Sequence, residues 1–272
     1  MLQFLRDALS LPTWISLGAL LQSTLWIFLP TRIAILPAII YLVACLTNTI
    51  LVWQGVRVNP RMSGIVPGKA TVQFPGSTKP SQNPIVVIKL AARSNHPLGT
   101  FHPYMRTISS FFKRMVKNLD DYSEEYGFLG ASIYIGNERA TANEIMILAY
   151  FRTYEGLHAF AHAPGGVHRE AWSYWNTQVM AKGKTEESRM FSIMHETYQI
   201  PAGMWENIYV NYHPSGLGAT TYKVDVAGQD KWASPLVDAR KGLLRSSRGR
   251  MAVTAGNDNE IYGDDPYANK KA

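Results

Sequence analysis

Residues 8–31 and residues 33–56 contain no charged side chain, and Arg32 alone stands between them. Each stretch is about 24 residues long, against the roughly 20 that an α-helix needs to cross the hydrocarbon of a bilayer. This patterning predicts a membrane hairpin of two apolar helices over residues 1–60, spanning or re-entrant, which turns at Pro30-Thr31-Arg32. Pro30 and Pro37 limit helix continuity at that turn. Trp14, Trp26 and Trp53 lie toward the ends of the runs, where amphipathic rings favour the headgroup level. A cleaved signal peptide accounts for one run only, and its basic region would rest on Arg6 alone. Arg57, Arg61 and Lys69 follow the hairpin closely while the turn holds only Arg32, so the positive-inside rule places the bulk of the chain in the cytosol.

The single cysteine, Cys45, lies inside the second apolar run. It excludes a disulfide framework and a Cys-based zinc site, and it argues against a thiolate-ligated haem, because an anion would have to form in hydrocarbon. The 7 Trp, 14 Tyr and 10 Phe exclude disorder as a global description. A net charge of +7 invites a nucleic-acid reading. The excess, however, flanks the apolar runs and recurs at Arg240, Lys241, Arg245, Arg248 and Arg250 without interleaved aromatics. That pattern suits anionic lipid headgroups or a solvated tail better than base stacking, and nucleic acid is set aside as a partner.

Beyond the hairpin, residues 61–84 hold many Gly, Pro, Ser and Thr and read as a linker. Residues 85–222 then alternate: strand 85–93, helix from about 99 to 125 with Pro103 in its first turn, strand 127–136, turn 137–143, strand 144–152. A second helical region starts at Thr153, whose hydroxyl can cap it; it breaks at Pro164-Gly165-Gly166 and resumes from Val167 to Met180. A fourth strand follows over 189–200, and Trp205–Asn211 is a further strand candidate. Strand-helix-strand-strand-helix-strand is the ferredoxin-like βαββαβ order, an α+β fold with both helices on one face of an antiparallel sheet. The strands are apolar on both sides (Val86, Ile88 and Leu90 against Ile85 and Val87), so the second sheet face needs cover too. A second copy of the chain is the simplest cover, giving a homodimeric barrel around an internal cavity. Residues 223–272 read as a polar, basic, flexible tail.

Candidate chemistry collects in two segments. In GGVHREAWSYWN, His168, Trp172 and Asn176 recur at four-residue steps and share a helix face, which Trp175 extends. In MHETY, strand alternation puts His195 and Thr197 on one side and Glu196 and Tyr198 on the other. His195 and Glu196 therefore cannot both enter one cavity without a bulge. Histidine titrates nearest neutrality, so His168 or His195 is the better proton shuttle; a cross-strand salt bridge is the structural alternative for Glu196. Arg93 and Arg152, near strand ends, can hold an anionic substrate or an oxyanion, with Tyr150 beside Arg152. His158 and His162 stand four apart, compatible with metal, but no HExxH motif or third ligand accompanies them. No GxGxxG after a strand, GxxxxGK[ST] or GxSxG occurs, so nucleotide-dependent chemistry has no sequence support.

The segments AYFRTYEGLHAFAHAPGGVHREAWSYWN and MHETYQIPAGMWENIYVNYHPSGLGATT, with their HxxxWxxxN and HETYxxPxGxxExxYxN patterns, resemble the monooxygenase-like proteins of fungal secondary-metabolite clusters. Those proteins belong to the dimeric α+β barrel superfamily, alongside antibiotic-biosynthesis monooxygenases. The likeness covers about residues 50–222, and the hairpin followed by GVRVNP is similar to the membrane-anchored members. Met194 departs from the pattern, standing where an aromatic is expected. The resemblance implies a membrane-anchored monooxygenase, at the endoplasmic reticulum, acting on a lipophilic terpenoid or polyketide intermediate. Such chemistry can run without a cofactor if a base makes a carbanion or phenolate that reduces dioxygen, the co-substrate. His168, His195 and Glu196 are then the catalytic candidates, and Trp172, Asn176, Tyr198, Arg152 and Tyr150 the substrate-binding ones, with no metal. Haem stays open, since related barrels ligate it through His. Two competitors use the same barrel: a cyclase, isomerase or dehydratase acting by proton transfer, and a non-enzymatic membrane-tethered binding subunit.

Overall fold

The computed structural model describes residues 9–136 and 144–266 of the 272; the expected turn at 137–143 lies outside the described residues. The chain divides into two compact units, one ending at Gly64 and the other beginning at Ile65.

The first unit is two helices, α1 (Leu11–Phe28) and α2 (Leu36–Trp53), joined through a short helical turn at Thr31–Ala34. Ser10 caps α1 by accepting from the Thr13 amide at 3.4 Å, and Pro12 and Pro37 occupy first-turn positions where no donor is lost. At 1.5 Å per residue each 18-residue helix is about 27 Å long. No side chain of either is buried. Both are long and apolar enough to cross a membrane. The Gln22 amide donates to the Ala34 carbonyl at 3.1 Å and ties the turn back to α1.

In the second unit, strands β2 (Ile85–Ser94), β3 (Phe128–Ile135), β4 (Ile145–Phe151) and β5 (Phe191–Ile200) form an antiparallel sheet in the order β3-β4-β2-β5. That is the ferredoxin-like arrangement the sequence order predicts. Helix α3 (Pro103–Asp121) buries Met105, Ile108, Phe111, Phe112, Met115 and Leu119, a stripe at three- and four-residue steps. A short helix α4 (Ser123–Tyr126) follows it and ends at Gly127, left-handed at φ +60°. Helix α5 (Tyr154–His162) is capped as expected, the Thr153 hydroxyl accepting from the Gly156 amide at 3.1 Å. Gly156 is there because space is lacking: an added Cβ would lie 2.1 Å from the Tyr126 carbonyl oxygen. After Pro164-Gly165-Gly166 the chain resumes as α6 (Val167–Gln178). These helices cover the sheet face that carries Val86, Ile88, Leu90, Ala92, Ile147, Ala149 and Phe151.

The second face differs from expectation. Residues 61–84 are more than a linker: β1 (Val66–Val72) is the centre of a three-stranded sheet, between β6 (Tyr209–Tyr212) and β9 (Leu236–Asp238). The strand expected at Trp205–Asn211 is β6, and it joins this small sheet rather than the main one. Nor is 223–266 a loose tail. It holds the hairpin β7 (Tyr222–Val226) and β8 (Gln229–Ala233), then β9. Its arginines serve the fold: Arg250 pairs with Glu206, Arg240 with Asp238 at 2.7 Å, and Arg245 donates to the Gly263 carbonyl at 2.7 Å. Val72, Phe74, Trp205, Leu217 and Tyr222 pack with Ile85, Leu129, Val87, Tyr150 and Ile200 in a second core. One end of the second face is thus covered by the same chain.

Candidate active site

Between the helices and the sheet lies a cleft open to solvent, with an enclosed volume of about 60 Å³. Its floor is Leu90 of β2 and Ile193 of β5; α3 supplies Ile108, Phe111, Phe112 and Met115; α6 supplies His168, Ala171, Trp172, Tyr174 and Trp175. Such a lining, apolar and aromatic with one titratable group, is the usual composition of a small-molecule site. The cavity expected between two sheets of a dimer is a different place: this cleft lies within one chain, on the helix side.

His168 is the polar group with a fixed pose. Its Nδ1 lies 2.9 Å from the Ala161 carbonyl oxygen. A carbonyl only accepts, so Nδ1 carries the proton and donates, and Nε2 keeps its lone pair. Ala161 is in the last turn of α5, whose carbonyls lack helical partners. The Pro-Gly-Gly turn brings α6 back so that His168 satisfies one of them. An added Cβ at Gly166 would meet the Ala163 carbonyl oxygen at 3.0 Å and its Cβ at 3.1 Å, which is why the turn needs a glycine there. Phe160 packs 5.9 Å from the imidazole, centroid to centroid.

The other sequence candidates are dispersed. Trp172 joins His168 in the cleft, and Trp175 extends the wall. Asn176, an exposed residue of α6, is outside the lining. His195 has the same strand parity as Ile193 but lies exposed on the edge strand, beyond the lining. Glu196 occupies the opposite sheet face, as alternation requires, where it faces Lys89 in register at 3.8 Å and accepts from the Tyr198 hydroxyl at 2.6 Å. That hydrogen bond holds the Tyr198 phenol above its ordinary pKa. Tyr150 is also on that face, under Leu217, and burial pushes its phenol up to about 12. Arg152 pairs with Glu124 at 3.1 Å and lies over the Tyr222 ring at 5.7 Å. Arg93 is across from Ser192 on the second face. His158 and His162 are exposed and stack at 3.9 Å. Among the described residues no group of three or more metal-capable side chains occurs.

The structure adds Tyr174 to the cleft, and Phe111 and Phe112, which the sequence marks only as helix core. The Ala161 carbonyl has no signature beyond its position before the helix break.

A family model described as monooxygenase af470-like matches residues 85–217. Monooxygenase af470 of Aspergillus fumigatus is 33% identical over 255 residues, which cover 91% of this chain and 89% of that protein. Among solved structures, an aldoxime dehydratase in complex with butyraldoxime aligns at a TM-score of 0.41 and 13% identity, over 57% of this chain and 40% of that one. SnoaB, a cofactor-independent oxygenase from Streptomyces nogalater, aligns at 0.26 and 15%, over 42% and 90%.

Proposed function

The chain belongs to the monooxygenase af470-like family, and from that premise we propose that it oxidises a lipophilic terpenoid or polyketide intermediate of secondary metabolism in the helix-side cleft, without a cofactor, with His168 as base. The observation that carries this reading is the pose of His168: Nδ1–H is committed to the Ala161 carbonyl at 2.9 Å, leaving Nε2 as a proton acceptor among apolar side chains.

The chemistry sets the substrate's requirements. Nε2 removes a proton from an acidic C–H or phenolic O–H, and the resulting anion passes an electron to dioxygen. Recombination gives a peroxide, which loses water. Conversion of an activated methylene to a carbonyl balances in this way: substrate CH₂ and O₂ become C=O and H₂O with no outside reductant. Hydroxylation of the same carbon needs two further electrons, so we assign the carbonyl-forming outcome. Apolar walls lower the polarity around the anion, and the Trp172 and Trp175 indoles and the Tyr174 hydroxyl are the donors among the lining residues for a developing oxyanion.

Two apolar helices of bilayer length tether the chain to a membrane in this reading, at the endoplasmic reticulum with the domain in the cytosol. The part of the second sheet face left open by the small sheet carries Tyr134, Met146, Leu148 and Met194 around the Lys89–Glu196 pair. A second copy of the chain meets it there as a homodimer.

The test is turnover under labelled dioxygen. One labelled atom is expected in the product and the other in water. His168→Ala is expected to lower kcat/KM by about 10²- to 10⁴-fold in a protein that still unfolds cooperatively. Turnover without label would assign the protein to proton-transfer chemistry instead, product formation indifferent to His168 would remove the base, and a Soret band in the purified protein would replace the cofactor-free route.

A further inference from the structure

Two loops at one end of the main sheet present apolar side chains to the outside. The first follows β2 (residues 95–102) and the second precedes β5 (residues 179–190). In the first, successive turns are built by backbone hydrogen bonds, Gly99 to His96 at 2.7 Å and Phe101 to Leu98 at 3.0 Å, with the Leu98 amide also bound to His96 Nδ1 at 3.0 Å. Gly99 takes φ +53° to allow this. Residues three apart in such tight turns eclipse each other, so Leu98 and Phe101 share one side. They are 57% and 48% exposed, and Met180 of the second loop is 58% exposed. The loops are fastened together: the Asn95 amide donates to the Met190 carbonyl at 2.7 Å, and Lys182 reaches the Tyr104 hydroxyl at 3.0 Å. The apolar side chains are thus held outward by ordered backbone.

The surrounding charge has one sign in excess. Residues 95–106 contain Arg106 and no acid; in the second loop Lys182 pairs with Glu187, and Lys184 and Arg189 stand against Glu186. Protruding aliphatic and aromatic side chains ringed by basic residues fit an anionic lipid surface, where the chains enter the headgroup boundary and the cations meet phosphates. Met180 stands two residues past the end of α6, the helix that carries Trp172, which lines the cleft and is itself 53% exposed.

We infer that this end of the domain docks on the surface of an anionic bilayer through Leu98, Phe101 and Met180, so that a lipophilic substrate passes from lipid to the cleft without crossing water. The substrate half rests on the function proposed above; the docking half does not depend on turnover.

The test uses the full chain, with Cys45→Ala, reconstituted in phosphatidylcholine–phosphatidylserine vesicles containing brominated lipid. Single labels of an environment-sensitive dye are attached at Leu98→Cys, Phe101→Cys and Met180→Cys. A control label at Val226→Cys sits on the β7–β8 hairpin, whose Tyr222 lies over Arg152 past the far end of β4. The three loop labels are expected to shift to the blue and to be quenched several-fold more than the control. Adding Arg106→Glu and Lys184→Glu is expected to reduce that quenching. Loop labels quenched no more than Val226, whether all four are quenched or none, would overturn the inference. His168→Ala should leave the quenching unchanged, so the docking and the catalytic reading fail separately.

Discussion

The two faces of the four-stranded sheet are made by the same strands and solve the same burial problem differently. The helix face is covered over its centre by α3, α5 and α6, with the cleft open at Leu90 and Ile193 and with Ile133 and His195 exposed toward the sheet edges. The opposite face is divided: its β2-start and β4-end half carries Ile85, Val87, Leu129 and Tyr150 under the small sheet, while the other half keeps Lys89, Met194, Glu196 and Tyr198 in reach of solvent. Local sequence builds the first face, since helix stripes and strand alternation are properties of neighbouring residues. Distant segments build the second.

The sharpest probe of this contrast is Phe151→Ala. Phe151 is 1% exposed and packs edge-on against Phe128 at 5.3 Å. Its truncation is expected to cost about 3–5 kcal/mol in denaturant unfolding in detergent. Leu217→Ala tests the small-sheet core and is expected to cost about 2–5 kcal/mol. A cost near zero there would mean that the cover contributes nothing and that only the helix face holds the domain.

A pH experiment separates the faces without mutation. The Arg240 guanidinium beside Asp238, with help from the Arg240 amide, lowers the Asp238 carboxyl to about 2 from its ordinary 3.8. A depressed carboxylate contributes stability that is complete above its unfolded value and is lost as pH falls through the folded one. Between about pH 4 and pH 2 the β9 end of the small sheet should therefore loosen. Hydrogen exchange at residues 236–240 is expected to rise in that window, ahead of exchange in β2 and β4. Simultaneous exchange of both regions would show that the two faces open as one unit.

The smallest effect belongs to Glu196→Gln. The pair with Lys89 is more than a third exposed on both sides, and such pairs are worth about 0–1 kcal/mol. A loss of roughly 3 kcal/mol or more would place the pair in a desolvated setting, the result expected once a second copy covers it. Measuring the variant across protein concentrations therefore tests the proposed homodimer.

These faces also explain how much was legible in the sequence. The four main strands, the cap at Thr153, Pro103 in the first turn of α3 and the break at Pro164 follow from local chemistry. The separation of His195 from Glu196 follows from alternation alone. The small sheet was hidden because β1 is VPGKATV, interrupted by Pro67 and Gly68, and β9 is three residues long. Arg240, Arg245 and Arg250 looked like solvated charge because a sequence does not print the partners that each would find. The site was half legible: His168 and Trp172 share the cleft, but Asn176 is exposed outside it, and Tyr198, Tyr150 and Arg152 have local or opposite-face engagements that no spacing rule reveals.

β1 finds its neighbours very late in the chain: the Gly68 amide is held by Asn211, 143 residues on, and Thr71 pairs with Val237. During synthesis this strand leaves the ribosome before any helix of the domain and has no partner until nearly everything else has emerged. Closing so wide a loop is slow relative to the local helix and hairpin steps. The nascent sheet therefore passes through a stage with one apolar side bare, when it is most prone to aggregate, and losing the last segment would return the finished protein to that stage.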